Sequence, residues 1–304
     1  MQKSQGYRKK NQEADKVYRE ICWQDLATRD DLIQAVATAM HPFLMILLGL
    51  AAGAGAGLLA GLIGIGGGIV VVPVVYYGLI SSGLTADQSA HMAVATSLAA
   101  IMPAAIMSSL AHWRAGNTDL AFFREWGPGI AGGVVIAQLM APHLRGSVLT
   151  GLFALFCLSV SVRFAVPDRF KPLCREPPDG RLCHLAGVGI GLVSGFAGVG
   201  GGILTNIVMS LCGMPMHKSI GRAAAAGVVV SLPAVIVAVI LGPIGGRASS
   251  ISWTIWMCIA PAQGAAAWGG AQLAQRATSN QLSRIFAGAL AITGLVMLRS
   301  SFGS

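Results

Sequence analysis

Long apolar stretches, parted by short polar ones, organise the chain. Eight runs stand out: Phe43 to Ile80, Ala90 to Ala111, Trp126 to Ala141 and Ser147 to Val166, then Leu185 to Leu211, Gly221 to Pro243, Trp253 to Leu273 and Ile285 to Leu298. About 20 helical residues at 1.5 Å each cross a hydrocarbon core of about 30 Å, so runs of this order predict an all-α integral membrane protein. The first run is too long for one crossing: its 38 residues would measure roughly 57 Å as a straight helix. It must bend, break or turn back.

The eight runs fall into two similar sets of four. GLLAGLIGIGGGIVVVPVV from Gly57 and GLVSGFAGVGGGILTNIVM from Gly191 align at an offset of 134, with Gly57, Gly61, Gly64, Gly66, Gly67 and Gly68 meeting Gly191, Gly195, Gly198, Gly200, Gly201 and Gly202. At an offset of 130, QSAHMAVATSLAAIMPAA from Gln88 matches KSIGRAAAAGVVVSLPAV from Lys218, and at 133 Leu149, Phe153 and Ala154 meet Leu282, Phe286 and Ala287. Duplication thus accounts for nearly all of residues 43–300. The expected organisation is an N-terminal extension (1–41), a first transmembrane repeat (42–166), a linker (167–183) and a second repeat (184–304).

Three consecutive glycines interrupt a helix, because each disfavours it by about 1 kcal/mol relative to alanine and tolerates positive φ. The break is expected at Gly66, Gly67 and Gly68, and again at Gly200, Gly201 and Gly202. Backbone freed at membrane depth needs partners in protein or in a watery cavity, so paired broken segments belong at the centre of a bundle. The competing reading is close helix packing, which is the expectation for the G-x-x-x-G of Gly57 and Gly61.

GLIGIGGGIVVVPVV, followed about 20 residues later by AVATSL and then by a second glycine-rich copy, resembles the sulfite exporter TauE/SafE family, also called the toluene sulfonate uptake permeases. The resemblance covers residues 43–300 and implies a secondary transporter of the inner or plasma membrane that moves sulfite or an organosulfonate, with export favoured. Two positions depart from the family pattern: its Gly-Thr-Ser reads Ala95-Thr96-Ser97, and the second copy reads Ala225-Ala226-Gly227. The resemblance therefore carries a substrate class and not a substrate.

Composition points the same way. Only 11% of the 304 residues are charged, against about 25% in soluble domains, and the mean hydropathy is +0.68. Asp87, Asp119 and Glu125 fall in expected loops, and no acid follows Asp179. Cation carriers and proton relays commonly place carboxylates inside the bundle. With none expected there, the pattern suits an anion held by backbone N–H groups at broken helix ends, each carrying about half a positive charge. The candidate substrate site is Gly64, Gly66, Gly67 and Gly68 with Thr96 and Ser97, and Gly198, Gly200, Gly201 and Gly202 with Thr205 and Asn206. For each of these hydroxyl and amide side chains the competing role is an ordinary hydrogen bond between helices. His91 and Arg222 stand at neighbouring positions of the aligned segments and are candidates for attracting the anion or coupling it to a proton. The ordinary alternatives are a hydrogen-bonded histidine and an arginine that snorkels to the interface.

The net charge of +9 comes from basic residues scattered beside apolar runs, which is a topology signal and not a nucleic-acid surface. Arg163, Arg169, Lys171, Arg175 and Arg181 in and beside the linker make it cytoplasmic by the positive-inside rule. Lys218 with Arg222 and Arg276 with Arg284, against Arg247 between them, favour five segments per half and inverted repeats over four crossings and parallel ones. Gly55, Gly57 and Ala60 fit a dinucleotide fingerprint, but no acidic residue follows at the needed distance. Cys22, Cys157, Cys174, Cys183, Cys212 and Cys258 show no zinc spacing. Neither a metal nor another cofactor is expected. An enzyme would need a nucleophile with a base or a metal cluster, and the runs show neither, so transport is preferred, with an uptake permease for another small organic anion and a passive anion channel as the alternatives to an exporter. The extension has the look of an amphipathic surface helix or a disordered segment, with Thr28 and Asp31 as a capping box. The expected partners are a small anion, a coupling proton and the lipid bilayer, in a monomer or homodimer.

Overall fold

The computed structural model describes residues 46–62, 64, 66–118, 120–165, 177–245, 251–274 and 279–302. The N-terminal extension with its capping box, and residues 167–176 of the linker, lie outside them. The chain divides into two units, 1–48 and 49–304, and apart from the first turn of α1 the description concerns the second.

The described elements are helices, with no strand among the described residues: α1 (Ile46–Leu62), α2 (Gly68–Ser81), α3 (Ala86–Arg114), α4 (Leu120–Glu125), α5 (Gly127–Met140), α6 (Gly146–Ala165), α7 (Gly180–Ala197), α8 (Gly202–Leu211), α9 (Met216–Gly245), α10 (Trp253–Ala274) and α11 (Ser279–Phe302). Stretches in α3, α6, α7 and α9 are long and apolar enough to cross a membrane. Leu155, Val162, Leu185, Ile240, Met257 and Ile292 point outward, as lipid-facing side chains do. The chain is a multi-pass membrane protein.

The overlong first run and its repeat equivalent from Leu185 to Leu211 both divide where the glycines stand, into α1 and α2 and into α7 and α8. The long helices also reach past the apolar runs that announced them. Asp87, expected in a loop, lies in the first turn of α3, where Thr85 caps the helix by accepting from the Gln88 N–H at 3.3 Å. The positive end of the helix dipole favours a carboxylate there, and Asp87 also accepts from the Gly146 N–H at the start of α6. Glu125, likewise expected in a loop, is the last residue of α4. Helix α7 begins at Gly180, ahead of its apolar run, behind an extended Asp179.

Contacts fix the helix directions. Along α1, Gly49, Gly53, Gly57 and Gly61 face Cys258, Ile259, Gln263 and Ala267 in turn, so α1 and α10 run parallel. The Gly57 and Gly61 faces lie so close to the Gln263 and Ala267 carbonyls that a methyl on either would overlap them; this G-x-x-x-G is a packing seam. A second glycine-packed parallel pair is α5 and α7, with Gly129 on His184 and Gly133 on Val188. Helix α3 runs parallel to α10, through Thr96 with Ser252 and Arg114 with Trp268. It runs antiparallel to α9, its sequence equivalent: Asn117 meets Gly221 and Ala105 meets Gly227. The equivalent helices α6 and α11 are also antiparallel, with Cys157 on Gly294 and the Ser161 hydroxyl donating to the Ala287 carbonyl at 2.8 Å. Gly67 returns to the level of Ala56, and Gly68 packs on Ile101 of α3, so the chain reverses at the glycines and α2 retraces α1.

Candidate functional site

The two glycine loops meet each other. Gly64 lies against Gly202, Gly66 against Gly200 and Gly68 against Gly198, an antiparallel crossing whose centre is the pair Gly66 and Gly200. Ile101 of α3 covers that centre from one side. A side chain on Gly202 would overlap the Gly64 carbonyl, and one on Gly68 would sit 2.7 Å from the Gly198 carbonyl. Such a backbone-to-backbone approach is available only to glycine.

Two helices start from the crossing. Gly67 (φ 73°) and Gly201 (φ 67°) precede α2 and α8 in the left-handed conformation, where a β-carbon would be strained. Neither helix start is capped by a side chain, and neither first turn holds an acid. Their N-terminal N–H groups and dipoles therefore act on the crossing without a side-chain acceptor competing for them.

The polar side chains expected at the site divide. Ser97 reaches it: its hydroxyl donates to the Gly198 carbonyl at 2.9 Å. Thr205 is fully buried on the first turn of α8, and its hydroxyl has no hydrogen-bond partner among the described residues. Asn206 follows it, accepting from the Ser219 hydroxyl at 2.6 Å on Oδ1 and at 3.1 Å on its carbonyl. Thr96 turns away, since it accepts from the Ser252 N–H at 2.9 Å at the head of α10. Adjacent residues on a helix project about 100° apart, so Thr96 and Ser97 do not share a face.

His91 and Arg222, at neighbouring positions of the repeat, stand at opposite ends of the crossing because α3 and α9 run antiparallel. His91 is held by three carbonyl oxygens, Nδ1 with Asp87 at 2.8 Å and Nε2 with Ala141 and Leu144 at 3.1 and 3.0 Å. It ties the start of α3 to the corner before α6. Arg222 donates to the Met209 sulfur at 3.9 Å and lies 5.9 Å over the Phe122 ring.

Two glutamines belong to the picture and were not singled out from the sequence. Gln263 of α10 is fully buried and donates from Nε2 to the Gly66 carbonyl at 3.0 Å, while its Oε1 has no partner among the described residues. Gln138 of α5 donates to the Gly195 carbonyl at 3.1 Å, one turn before the second loop. The available signal was an amide inside an apolar run, which a search for charged groups passes over. The polar groups gathered at the crossing are thus neutral hydroxyls, amides and backbone. Among the described residues no cluster of three or more His, Cys, Asp or Glu side chains could hold a metal.

A family model described as "Sulfite exporter TauE/SafE" matches residues 48–297. A "Probable membrane transporter protein" of Haemophilus influenzae is 30% identical over 190 residues, which is 62% of this chain and 72% of the relative. Relatives of the same description from Bacillus subtilis and Methanocaldococcus jannaschii are 27% and 24% identical, over 55% and 54% of this chain and 67% and 61% of their own lengths. No solved structure matches the chain.

Proposed function

Because the chain belongs to the sulfite exporter TauE/SafE family and is a membrane transporter, we propose that it is a secondary carrier for a small sulfur-containing oxyanion, sulfite or an organosulfonate, with export across the inner or plasma membrane favoured. The observation that carries this reading is the crossing of the two glycine loops, with α2 and α8 both starting from it and neither capped by a side chain. An oxyanion there is held by the N–H groups of Gly67, Gly68 and Gly202 and by helix dipoles, while the Gly201 N–H is turned to the Val199 carbonyl at 2.8 Å, and Gly64, Gly66, Gly198 and Gly200 allow the close approach. Ser97, Thr205, Asn206 and Gln263 set its orientation through neutral hydrogen bonds, which release a substrate more readily than a buried cation does.

The helix directions support an inverted pair of repeats, since α3 with α9 and α6 with α11 are equivalent in sequence and antiparallel in space. On that reading the two halves rock about the crossing, and the closed loops separate first toward one side and then toward the other. Purified protein in liposomes tests the activity. Saturable flux of sulfite or methanesulfonate, outcompeting a carboxylate of similar size, is the expected result. Protein-free rates for every sulfur oxyanion overturn the reading, and flux that stays linear with concentration replaces the carrier with a channel.

A further inference from the structure

His91 is saturated with carbonyl partners, but a second histidine of α3 is not. His112 is 2% exposed, and neither ring nitrogen has a hydrogen-bond partner among the described residues. A buried polar group left without a partner costs about 1–3 kcal/mol, a cost that a purely structural residue in an apolar helix has no reason to carry. Its position is not arbitrary. Ile101, Ser108 and His112 fall within about 40° of one another around the helix, so His112 continues the face of α3 whose Ile101 covers Gly66 and Gly200. Ser108, one turn closer to the crossing, is also buried with its hydroxyl unpartnered among the described residues. The Gly61 carbonyl, three residues before Gly64 and at the negative end of α1, faces the ring without completing a hydrogen bond. Ala111 and Ala115, either side of His112 along the chain, line an open cavity of about 610 Å³ with Arg114, Trp268 and Gln272.

Building on the anion-carrier reading, we propose that His112 is the proton-binding group that couples anion movement to protons. Water in the cavity beside Arg114 delivers the proton to one ring nitrogen. The imidazolium that forms donates to the Gly61 carbonyl, where the C-terminal end of α1 favours a positive charge. The charged groups on the elements around it are mostly basic: Arg114 on α3 and Lys218 and Arg222 on α9, with His217 beside them; α1 has no ionisable group and α10 only the Cys258 thiol, while α4, which packs on α9, brings Arg124 and Glu125. The lysine and arginines oppose protonation until an anion enters the loops nearby. Proton and anion therefore favour each other's binding, and the linkage is reciprocal.

The test uses full-length protein and methanesulfonate, an anion that keeps one charge throughout the range examined. Anion affinity, read by thermal shift, should tighten by about tenfold per pH unit toward acid over part of the range from about pH 8 to 5, and H112Q should flatten that slope. A second reading needs no variant: calorimetry of the wild type in two buffers of different ionisation enthalpy should show about one proton taken up per anion bound at the steepest point. Saturable binding with no proton uptake overturns the coupling and leaves the anion reading intact. H112Q that keeps the wild-type slope also overturns His112 as the proton site. Absence of both anion binding and flux in the wild type overturns the two together.

Discussion

The loops Gly64–Gly68 and Gly198–Gly202 repeat one sequence pattern, and each is pressed against the other, yet different chemistry serves them. The first is reached by an amide from the other half of the chain, Gln263 donating to the Gly66 carbonyl. The second is reached by a hydroxyl, Ser97 donating to the Gly198 carbonyl, and runs into Thr205 and Asn206 on its own helix. The backbones differ too: Gly66 has a φ of 80°, whereas its equivalent Gly200 is not in the positive region. Duplication preserved what the crossing needs sterically. It left the polar contacts free to diverge, so the lopsided ones are where selectivity is to be sought.

The crossing also makes substitutions at equivalent positions unequal. Gly202→Ala drives a methyl into the Gly64 carbonyl, while Gly68→Ala places one 2.7 Å from the Gly198 carbonyl. Gly202→Ala is therefore expected to be the more damaging, by at least about 4 kcal/mol, seen as loss of monodisperse protein in detergent. Gly68→Ala should lower the unfolding temperature but leave folded protein. Equal losses would mean that the loops do not meet as described.

A smaller effect is expected from Gln263→Leu, which removes the donor to a buried Gly66 carbonyl and should cost about 1–3 kcal/mol while weakening anion binding. Ser97→Ala removes a neutral hydrogen bond at the second loop and should cost about 1 kcal/mol. If the lopsided contacts set selectivity, the two variants shift the preference between sulfite and methanesulfonate differently. The same shift in both would remove the distinction. The smallest change is at Gly132 on α5, where a methyl meets nothing within 4 Å; Gly132→Ala should raise helix stability by up to about 1 kcal/mol without altering transport.

Much of the architecture was legible in the sequence because membrane burial writes a strong local signal. Apolar runs mark helices, and a run of three glycines inside one marks its interruption. The lengths of α3 and α7 were less legible, because helix ends carry polar residues such as Asp87 and Arg181 that look like loop. The candidate site was legible in its backbone and in part of its side chains, Ser97 and Thr205 among them, but not in Gln263. The contact of Gln263 with Gly66 joins residues 197 apart, and nothing in either neighbourhood announces it. The divergence of Thr96 from Ser97 follows from helical periodicity, which turns neighbouring side chains about 100° apart, together with the Ser252 N–H that holds Thr96. His91 and Arg222 stand at neighbouring positions of the repeat, but alignment carries no direction, and the antiparallel packing of α3 and α9 sends them to opposite ends.

The central claim is that the N–H groups at the starts of α2 and α8 hold the anion together. Hydrogen–deuterium exchange of the wild-type protein, followed by mass spectrometry with and without saturating methanesulfonate, tests it most directly. Peptides spanning Gly66–Val70 and Gly200–Leu204 should both exchange more slowly with the anion bound. Protection confined to one loop, or found at the cavity by Arg114 and Trp268 with both loops unchanged, would contradict it.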